Sequence, residues 1–193
     1  MDSSRRCVLL AGCLGARPCT ALGVQSPQAS APAVAQGSTE VDVSDLSPEQ
    51  LRVAQWKGKP IWILRRSPEM LRGLDAPELL ARLADPASNS DANGRTPAYA
   101  NNRYRSIRPE VFVGVAICPH AGCVPIARLK AGPRPEHVDN WPGGFACQCH
   151  FATFDLAGRV FKDKPTDQNI EVPRHMYLDD SKIVIGKDHD GLA

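Results

Sequence analysis

Apolar residues in this chain occur in short runs or in alternation with polar ones, separated by turn-forming residues, from about residue 40 onward. Alternation predicts a strand with one buried face, and an unbroken apolar run predicts a strand buried on both faces. The strands predicted in this way are 41–43 (an edge strand), 52–56, 60–64, 111–117, 176–178 and 182–185. Residues 57–59 and 179–181 have the composition of hairpin connections. Because no βαβ rhythm is present, the pattern predicts an antiparallel all-β domain.

A short helical insertion interrupts the strands. Ser67 and Pro68 predict its start, because serine caps free N–H groups and proline fits the first helical turn. The residues 75–77, Asp-Ala-Pro, split the insertion into two short helices. The stretch 85–103 is polar and rich in asparagine, which predicts a surface excursion. Three aromatic residues are expected in the core: Trp56, Trp62 and Trp141.

Composition bounds the domain count and the class of partner. A chain of 193 residues allows one domain plus a tail. The formal net charge is +2 and no basic run is present, so nucleic acid is not expected as a partner. The divisions predicted along the chain are 1–24 (signal or membrane anchor), 25–39 (flexible hinge), 40–187 (folded domain) and 188–193 (tail).

The first residues are typical of an export signal. Arg5-Arg6 and the apolar run that follows it resemble a twin-arginine signal, a route that carries folded, cofactor-loaded proteins. The run stops at Arg17-Pro18, short of the roughly 20 apolar residues that a membrane span needs. Three interpretations remain: a short uncleaved anchor, cleavage, or lipidation at Cys13. Residues 25–39, rich in Ala, Pro, Ser and Gln, predict a flexible tether.

Two Cys/His clusters carry the candidate chemistry. The first contains Cys118 and His120, and the second contains Cys147 and His150. Two thiolates and two imidazoles form the ligand set of a Rieske-type 2Fe–2S centre, in which the imidazoles bind one of the two irons. Each cluster also contains one further cysteine that a four-ligand site does not need. These sites therefore predict a 2Fe–2S cluster, held by a subdomain of about residues 117–156.

The mixture of ligands has a physical purpose. Replacing two thiolates by neutral imidazoles lowers the negative charge around the irons, which raises the reduction potential. An imidazole nitrogen that faces away from iron also couples electron uptake to proton uptake, which suits a quinol as electron donor. Zinc would use the same four residues as a tetrahedral site, giving a non-redox binding module. Zinc offers no reason, however, for one extra cysteine in each cluster.

The two clusters and two flanking segments together resemble a known family. The segments 108–113 and 154–161, with the cluster motifs, are similar to the Rieske iron–sulfur subunit of the proteobacterial cytochrome bc complex, a ubiquinol–cytochrome c oxidoreductase. The likeness runs from about residue 40 to residue 186. It implies a Rieske-type antiparallel β domain with a cluster-binding tip and a disulfide between Cys123 and Cys149. It also implies that His150 and His120 face the quinol.

The resemblance further implies a function and a location. The expected reaction is electron transfer from a quinol to a c-type cytochrome, as one subunit of a proton-translocating enzyme complex. The expected partners are cytochrome b and a c-type cytochrome, within a dimeric complex. The expected location is the bacterial inner membrane, with the head on the periplasmic side. A cross-link within the cluster loops also predicts an oxidising compartment.

Several residues around the ligands depart from the family pattern. The residues expected to surround the cluster are Ala121, Gly122, Phe151, Ala152, Phe154 and Pro165. The family usually has leucine at position 121, glycine and serine at 151 and 152, and tyrosine at 154. Neither Ala152 nor Phe154 can donate a hydrogen bond toward the cluster sulfurs, so the sequence predicts a potential at the low end of the family range. The charged residues on both sides of Pro165 predict a wetter cover.

One further interpretation uses the same cluster. The small Rieske subunit of an arsenite-oxidase-type molybdoenzyme also combines twin-arginine export with a phenylalanine after the second histidine, as at Phe151. The length of the match to the bc family argues against it.

Overall fold

The computed structural model describes residues 37–89, 95–132 and 138–192. The chain forms short strands and two short helices. The elements in chain order are β1 (Thr39–Asp42), β2 (Leu51–Trp56), β3 (Lys59–Arg65), α1 (Pro68–Leu74), α2 (Pro77–Leu80), a 3₁₀ turn (Ala98–Ala100), β4 (Val111–Val115), β5 (Ile126–Arg128), β6 (Gly144–Ala146), β7 (Thr153–Phe154), β8 (His175–Tyr177), β9 (Lys182–Ile185), β10 (Lys187–Asp188) and β11 (Gly191–Leu192).

Every strand pairing within the described residues is antiparallel. The strands form three three-stranded sheets, in the orders β2-β3-β4, β1-β9-β8 and β5-β6-β7, and β10 pairs with β11. The predicted antiparallel all-β class is therefore confirmed, and β1 lies at a sheet edge as expected. The first hairpin differs by one residue, because Lys59 pairs with Trp56 and leaves Lys57-Gly58 as the turn. Both turn residues have positive φ, which matches the twist of the flanking strands.

Strand β3 is central because both of its faces are covered. Ile61 and Ile63 point into one apolar cluster, which the strands of β1-β9-β8 also enter. Trp62 and Leu64 point into a second cluster, which contains the residues of the third sheet and of the helices. The Trp62 ring stacks on the Phe145 ring with centroids 4.1 Å apart. This contact joins the central sheet to β6, the strand that leads into the second cysteine cluster. The predicted core positions of all three tryptophans are confirmed.

The helical insertion begins as predicted. The Ser67 side chain accepts a hydrogen bond from the Met70 N–H, and Pro68 occupies the first turn of α1. The stretch 85–103 was expected on the surface, and this is wrong for three of its described residues. Asp85 is 8% exposed, Ser88 is 2% exposed and Ala100 is 0% exposed. The Ser88 hydroxyl is buried because it accepts from Nε of Arg105, a contact that local polarity does not reveal.

The ends of the chain complete the description. The predicted tail takes part in a hairpin, where Asp188 pairs with Gly191. Within the ranges that the structure describes, no helix is both long and apolar enough to cross a membrane. The predictions for the export segment 1–24, including Cys13, lie outside the described residues, as do those for most of the hinge.

The stability of this fold should depend on the charge of one buried histidine. His175 is 1% exposed, and its burial lowers its pKa, although the Pro173 carbonyl near Nδ1 and the charge of Asp188 act in the opposite direction. The unfolded chain then binds a proton more readily than the folded chain. The free energy of unfolding should therefore fall as the pH drops below about 6.5, the usual pKa of histidine.

Denaturant titrations between about pH 7.5 and pH 5.5 measure this dependence. In a His175→Asn variant, whose amide can still donate to the Pro173 carbonyl, the slope over this interval should shrink. An unchanged slope would assign the pH dependence to other groups.

Candidate metal centre

The first cysteine loop follows strand β4. The strand ends at Val115, earlier than predicted, because the Ile117 N–H donates back to the Val115 carbonyl and turns the chain. The Cys118 N–H then donates to the Cys123 carbonyl over 2.7 Å, which closes the loop. Cys118 is only 2% exposed, whereas His120 is exposed. The loop therefore directs one thiol inward and one imidazole outward.

The second cysteine loop connects β6 to β7. The Cys147 N–H donates to the Ala152 carbonyl over 2.8 Å, and the Phe151 N–H donates to the Cys147 carbonyl over 3.0 Å. Phe151 has φ of 61°, a left-handed conformation that bulky residues rarely adopt. This conformation reverses the chain directly after His150. Cys147 is 1% exposed and His150 is exposed, so this loop repeats the division seen in the first.

A disulfide joins the two loops. Cys123 and Cys149 are bonded, with their Cα atoms 6.7 Å apart, and this confirms the pairing that the family resemblance implied. The bond spans a sequence separation of 26 residues. Closing a loop of that length stabilises the fold by about 3 kcal/mol in the chain-entropy model. The bond also fixes the distance between the two candidate ligand pairs.

The two imidazoles meet at the tip. The ring centroids of His120 and His150 are 4.7 Å apart, and the rings are nearly perpendicular at 86°. Both side chains are exposed, so a molecule in solution can reach them. The structure therefore brings together two residues that are 30 positions apart in the sequence.

The two free thiols lie on the same loops as the imidazoles and contact each other in the interior. Cys118 and Cys147 are both buried and unbonded, and their side chains are within hydrogen-bonding contact. Burial raises the pKa of the Cys118 thiol in the metal-free chain, although the backbone N–H groups of His120 and Ala121 lower it. Backbone donors aimed at a sulfur are also what a thiolate ligand of iron needs. The local structure is therefore prepared for a negative sulfur.

The arrangement fits a 2Fe–2S cluster with mixed ligands. The sulfurs of Cys123, Cys147 and Cys149 lie within 4.8 Å of one another, but two of them form the disulfide, so this trio is not a three-sulfur metal site. The available donors within the described loops are the thiols of Cys118 and Cys147 and the two exposed imidazoles. Sulfur donors on the inside and nitrogen donors on the outside match the ligand set of a Rieske centre.

The inner side of the candidate site is apolar. Ala152 and Phe154 are both 0% exposed and belong to the same apolar cluster as Cys118 and Cys147. The positions at which the family usually has hydroxyl groups are therefore in the interior, in the same cluster as the thiols. Neither side chain there can donate a hydrogen bond, which is the premise of the predicted low potential.

The outer side of the site is less covered. Ala121 and Gly122 are exposed, and Phe151 is 49% exposed. Pro165 is exposed as well, and the neighbouring Lys162 donates to the carbonyls of Ala81 and Arg82. The participation of Pro165 in a cover over the cluster stays a prediction.

A group of buried charges beneath the site was not predicted. Three arginines are 2% exposed or less: Arg66, Arg105 and Arg159. They surround the turn 155–159, which directly follows strand β7. Arg159 forms a buried ion pair with Asp155 at 2.7 Å, and Arg105 donates to the carbonyls of Ala157 and Gly158.

The pKa of one of these arginines shows that burial disfavours its charged form. Burial lowers the pKa of Arg66 to about 9, and the charge of Asp155 acts against this shift. The Arg66 guanidinium donates to the Tyr104 carbonyl and to the Ser106 hydroxyl. A clue in the sequence was the arginine at the end of Asp-Leu-Ala-Gly-Arg, since a charge inside an apolar stretch needs a partner.

Comparison with known proteins agrees with this geometry. The family model described as "Rieske [2Fe-2S] domain" matches residues 93–191. The ubiquinol-cytochrome c reductase iron-sulfur subunit of Allochromatium vinosum is 42% identical over 97% of this chain and 91% of that protein. The subunit of the same name from Rhodospirillum rubrum is 34% identical over 81% of this chain and 75% of that protein.

A solved structure titled "Hyperthermophilic respiratory Complex III" matches with a TM-score of 0.45 and 22% identity, over 78% of this chain and 75% of that one. The fold and site define a Rieske [2Fe–2S] protein. Within that class, the chain belongs to the family of ubiquinol–cytochrome c reductase iron–sulfur subunits.

Proposed function

We propose that this chain carries single electrons from a quinol to a c-type cytochrome, as the iron–sulfur subunit of a quinol–cytochrome c oxidoreductase. The observation that carries the proposal is the convergence of two buried thiols and two exposed imidazoles on loops tied by one disulfide. The 42% identity to a ubiquinol-cytochrome c reductase iron-sulfur subunit supports the same role. The proposed ligands are Cys118 and Cys147 for one iron and His120 and His150 for the other.

The division between buried and exposed ligands supports a direction for electron entry. When bound, a 2Fe–2S cluster supplies one-electron redox chemistry at a potential raised by its imidazole ligands. His120 and His150 lie at the surface, where a quinol hydroxyl can reach their rings. With the cluster bound, the ring nitrogen of His120 or His150 that does not hold iron would, in its deprotonated form, accept the hydrogen bond of that hydroxyl and then its proton. Cys118 and Cys147 stay inside and exclude water from the sulfur side.

The relatives, which are iron-sulfur subunits of ubiquinol-cytochrome c reductase, support the proposed setting. We place the chain with cytochrome b and a c-type cytochrome in a dimeric complex of the bacterial inner membrane, with the head on the periplasmic side. The disulfide supports an oxidising compartment, since such bonds persist there and are rare in the cytosol.

Three measurements test the function. Iron and acid-labile sulfide should be present in equal amounts in the purified chain, and pulsed EPR of the reduced protein should detect two coordinated imidazole nitrogens. In membranes of a host that lacks its own iron–sulfur subunit, the chain should restore quinol-dependent cytochrome c reduction. Iron without restored activity would retain the Rieske class and refute the quinol reaction. A colourless, zinc-containing protein would refute both.

The reduction potential should rise when the missing hydroxyl groups are restored. Phe154→Tyr and Ala152→Ser each place a donor at a 0% exposed position in the apolar cluster that contains the thiols. A hydrogen bond toward a cluster sulfur stabilises the extra negative charge of the reduced state. We expect each variant to have a higher midpoint potential than the parent, and the double variant the highest. Redox titration followed by EPR measures these midpoints.

The matched control for this series is Phe151→Tyr. It makes the same chemical change at a side chain that is 49% exposed, where water can form hydrogen bonds with the added hydroxyl. Its midpoint should stay close to that of the parent. If Phe154→Tyr leaves the midpoint unchanged, hydrogen bonding at this position does not set the potential.

A further inference from the structure

One free thiol lies next to the disulfide of the candidate metal centre. The sulfur of Cys147 is within 4.8 Å of both sulfurs of the Cys123–Cys149 bond. Cys147 itself takes part in no disulfide. A small movement of the Cys147 side chain would therefore bring its sulfur into contact with a bond that it can attack.

We propose that Cys147 exchanges with this disulfide whenever no metal occupies its sulfur. The Cys147 thiolate attacks Sγ of Cys123 and forms a Cys123–Cys147 bond, while the original bond breaks and Cys149 leaves as a thiolate. The Cys147 thiol gives one proton to solvent, and the Cys149 thiolate takes one up. One sulfur–sulfur bond is lost and one is formed, so the exchange needs no oxidant or reductant.

The connectivity of the loops and the exposure of Cys149 favour attack on Cys123 over attack on Cys149. A Cys147–Cys149 bond would join residues separated by Gln148 alone, and it would release the cross-link between the loops. A Cys123–Cys147 bond keeps the two loops connected. It also frees the sulfur of an exposed residue, Cys149, where the leaving thiolate is hydrated. Exchange therefore exposes a thiol that the native pairing hides.

The exchange removes a proposed ligand. A chain with the Cys123–Cys147 bond retains Cys118 as the only buried thiol of the described loops, so one iron loses half of its sulfur ligands. This consequence rests on the function proposed above, whereas the exchange itself depends only on the sulfur positions. Bound iron at Cys147 blocks the attack. A cluster inserted before the exchange occurs would therefore preserve the Cys123–Cys149 bond.

Alkylation of the metal-free chain over time tests the exchange. The full-length protein is stripped of iron with a chelator and incubated without reductant. Samples are quenched with iodoacetamide, and peptide fragmentation locates each label. We expect label at Cys149 to rise over minutes to hours, the usual range for uncatalysed exchange, while label at Cys147 falls by the same amount. The iron-loaded protein should be labelled at neither residue. Full labelling of Cys147 with none at Cys149 after a day would overturn the proposal.

Two variants separate exchange from its alternatives. Cys118→Ser lacks a proposed ligand but keeps the attacking thiol and the disulfide, so label at Cys149 should still appear. Cys147→Ser removes the attacking sulfur and should abolish that label. Equal labelling of Cys149 in Cys147→Ser would show that the disulfide is reduced or attacked by another thiol, against the proposal. A parent protein that never contained iron would refute the function while leaving this test intact.

Dilution distinguishes attack within one molecule from attack between molecules. Exchange through Cys147 is a first-order process, so a tenfold dilution should leave its rate unchanged. A rate that falls tenfold would assign the reaction to a thiol of a second molecule and contradict the proposal. The cysteines that could act in that way lie near the N-terminus: Cys7, Cys13 and Cys19.

Discussion

Replacing either histidine at the tip with asparagine should abolish the redox-active centre while leaving the domain folded. His120 and His150 are exposed, and their rings contact each other at the surface. Their loss therefore costs little folding energy, since surface substitutions usually change stability by less than about 0.5 kcal/mol. Each replacement removes one of the four proposed ligands. We expect the EPR signal of the reduced protein to fall below about a tenth of the parent signal in either single variant.

The cysteine ligands should behave in the same way, with a different effect on the fold. Cys118→Ser and Cys147→Ser should lose the iron, and each also places a hydroxyl at a buried position. Leaving such a group without a partner costs about 1–3 kcal/mol. Iron content, visible absorbance and thermal unfolding together separate ligand loss from unfolding.

Matched controls come from the same chain. His189→Asn changes an exposed histidine outside the loops, and Gln148→Ala changes an exposed residue between two cysteines of the second loop. Both should retain iron and the EPR signal at the parent level. A His150→Asn protein that keeps the parent signal, with normal iron, would remove His150 from the ligand set. The proposed electron entry at the tip would then be wrong.

The candidate site could be predicted from the sequence because metal ligation is a local and chemically narrow requirement. Cys118 and His120 are two positions apart, and Cys147 and His150 are three apart, so each pair can be recognised in the sequence without knowledge of the fold. Strand β4 was predictable for a related reason. The unbroken apolar run of β4 can only be stable where both faces are covered, and its residues are all buried.

The burial of the arginines could not be predicted, because their partners are far away in the sequence. Arg159 donates to the carbonyls of Leu74 and Pro86, which lie 85 and 73 positions earlier. Arg66 donates to the Leu156 carbonyl, 90 positions later. Charged residues are mostly exposed, so a pattern of residue types assigns them to the surface. Only the assembled fold shows which distant carbonyl groups accept from these arginines.

These contacts explain why the turn 155–159 is held so firmly beneath the cluster loops. The Asp155 carboxylate accepts from the backbone N–H groups of Ala157 and Arg159 as well as from the Arg159 side chain. The turn begins one residue after Phe154, which pairs with Phe145 on the strand that leads to Cys147. A shift of the turn would therefore move one wall of the site.

Removing the buried cation should destabilise the whole domain. In Arg159→Met, the carboxylate of Asp155 stays at 0% exposure but loses its cationic partner. Breaking a buried ion pair in this way costs about 3–5 kcal/mol, because an uncompensated charge remains inside. We expect a loss of that size in the free energy of unfolding, measured by denaturant titration of the full chain at neutral pH. The backbone acceptors of Leu74 and Pro86 also lose a donor, which adds to the effect.

Two comparisons assign this loss to the charge. Arg103→Met breaks an ion pair with Asp75 whose side chains are 58% and 36% exposed, so it should cost no more than about 1 kcal/mol. Adding Asp155→Asn to Arg159→Met removes the stranded charge, while the amide oxygen can still accept from the backbone N–H groups. The double variant should therefore be more stable than Arg159→Met alone. If instead the two arginine variants lose equal stability, or if Asp155→Asn gives no recovery, the buried pair is not what holds the turn beneath the cluster loops.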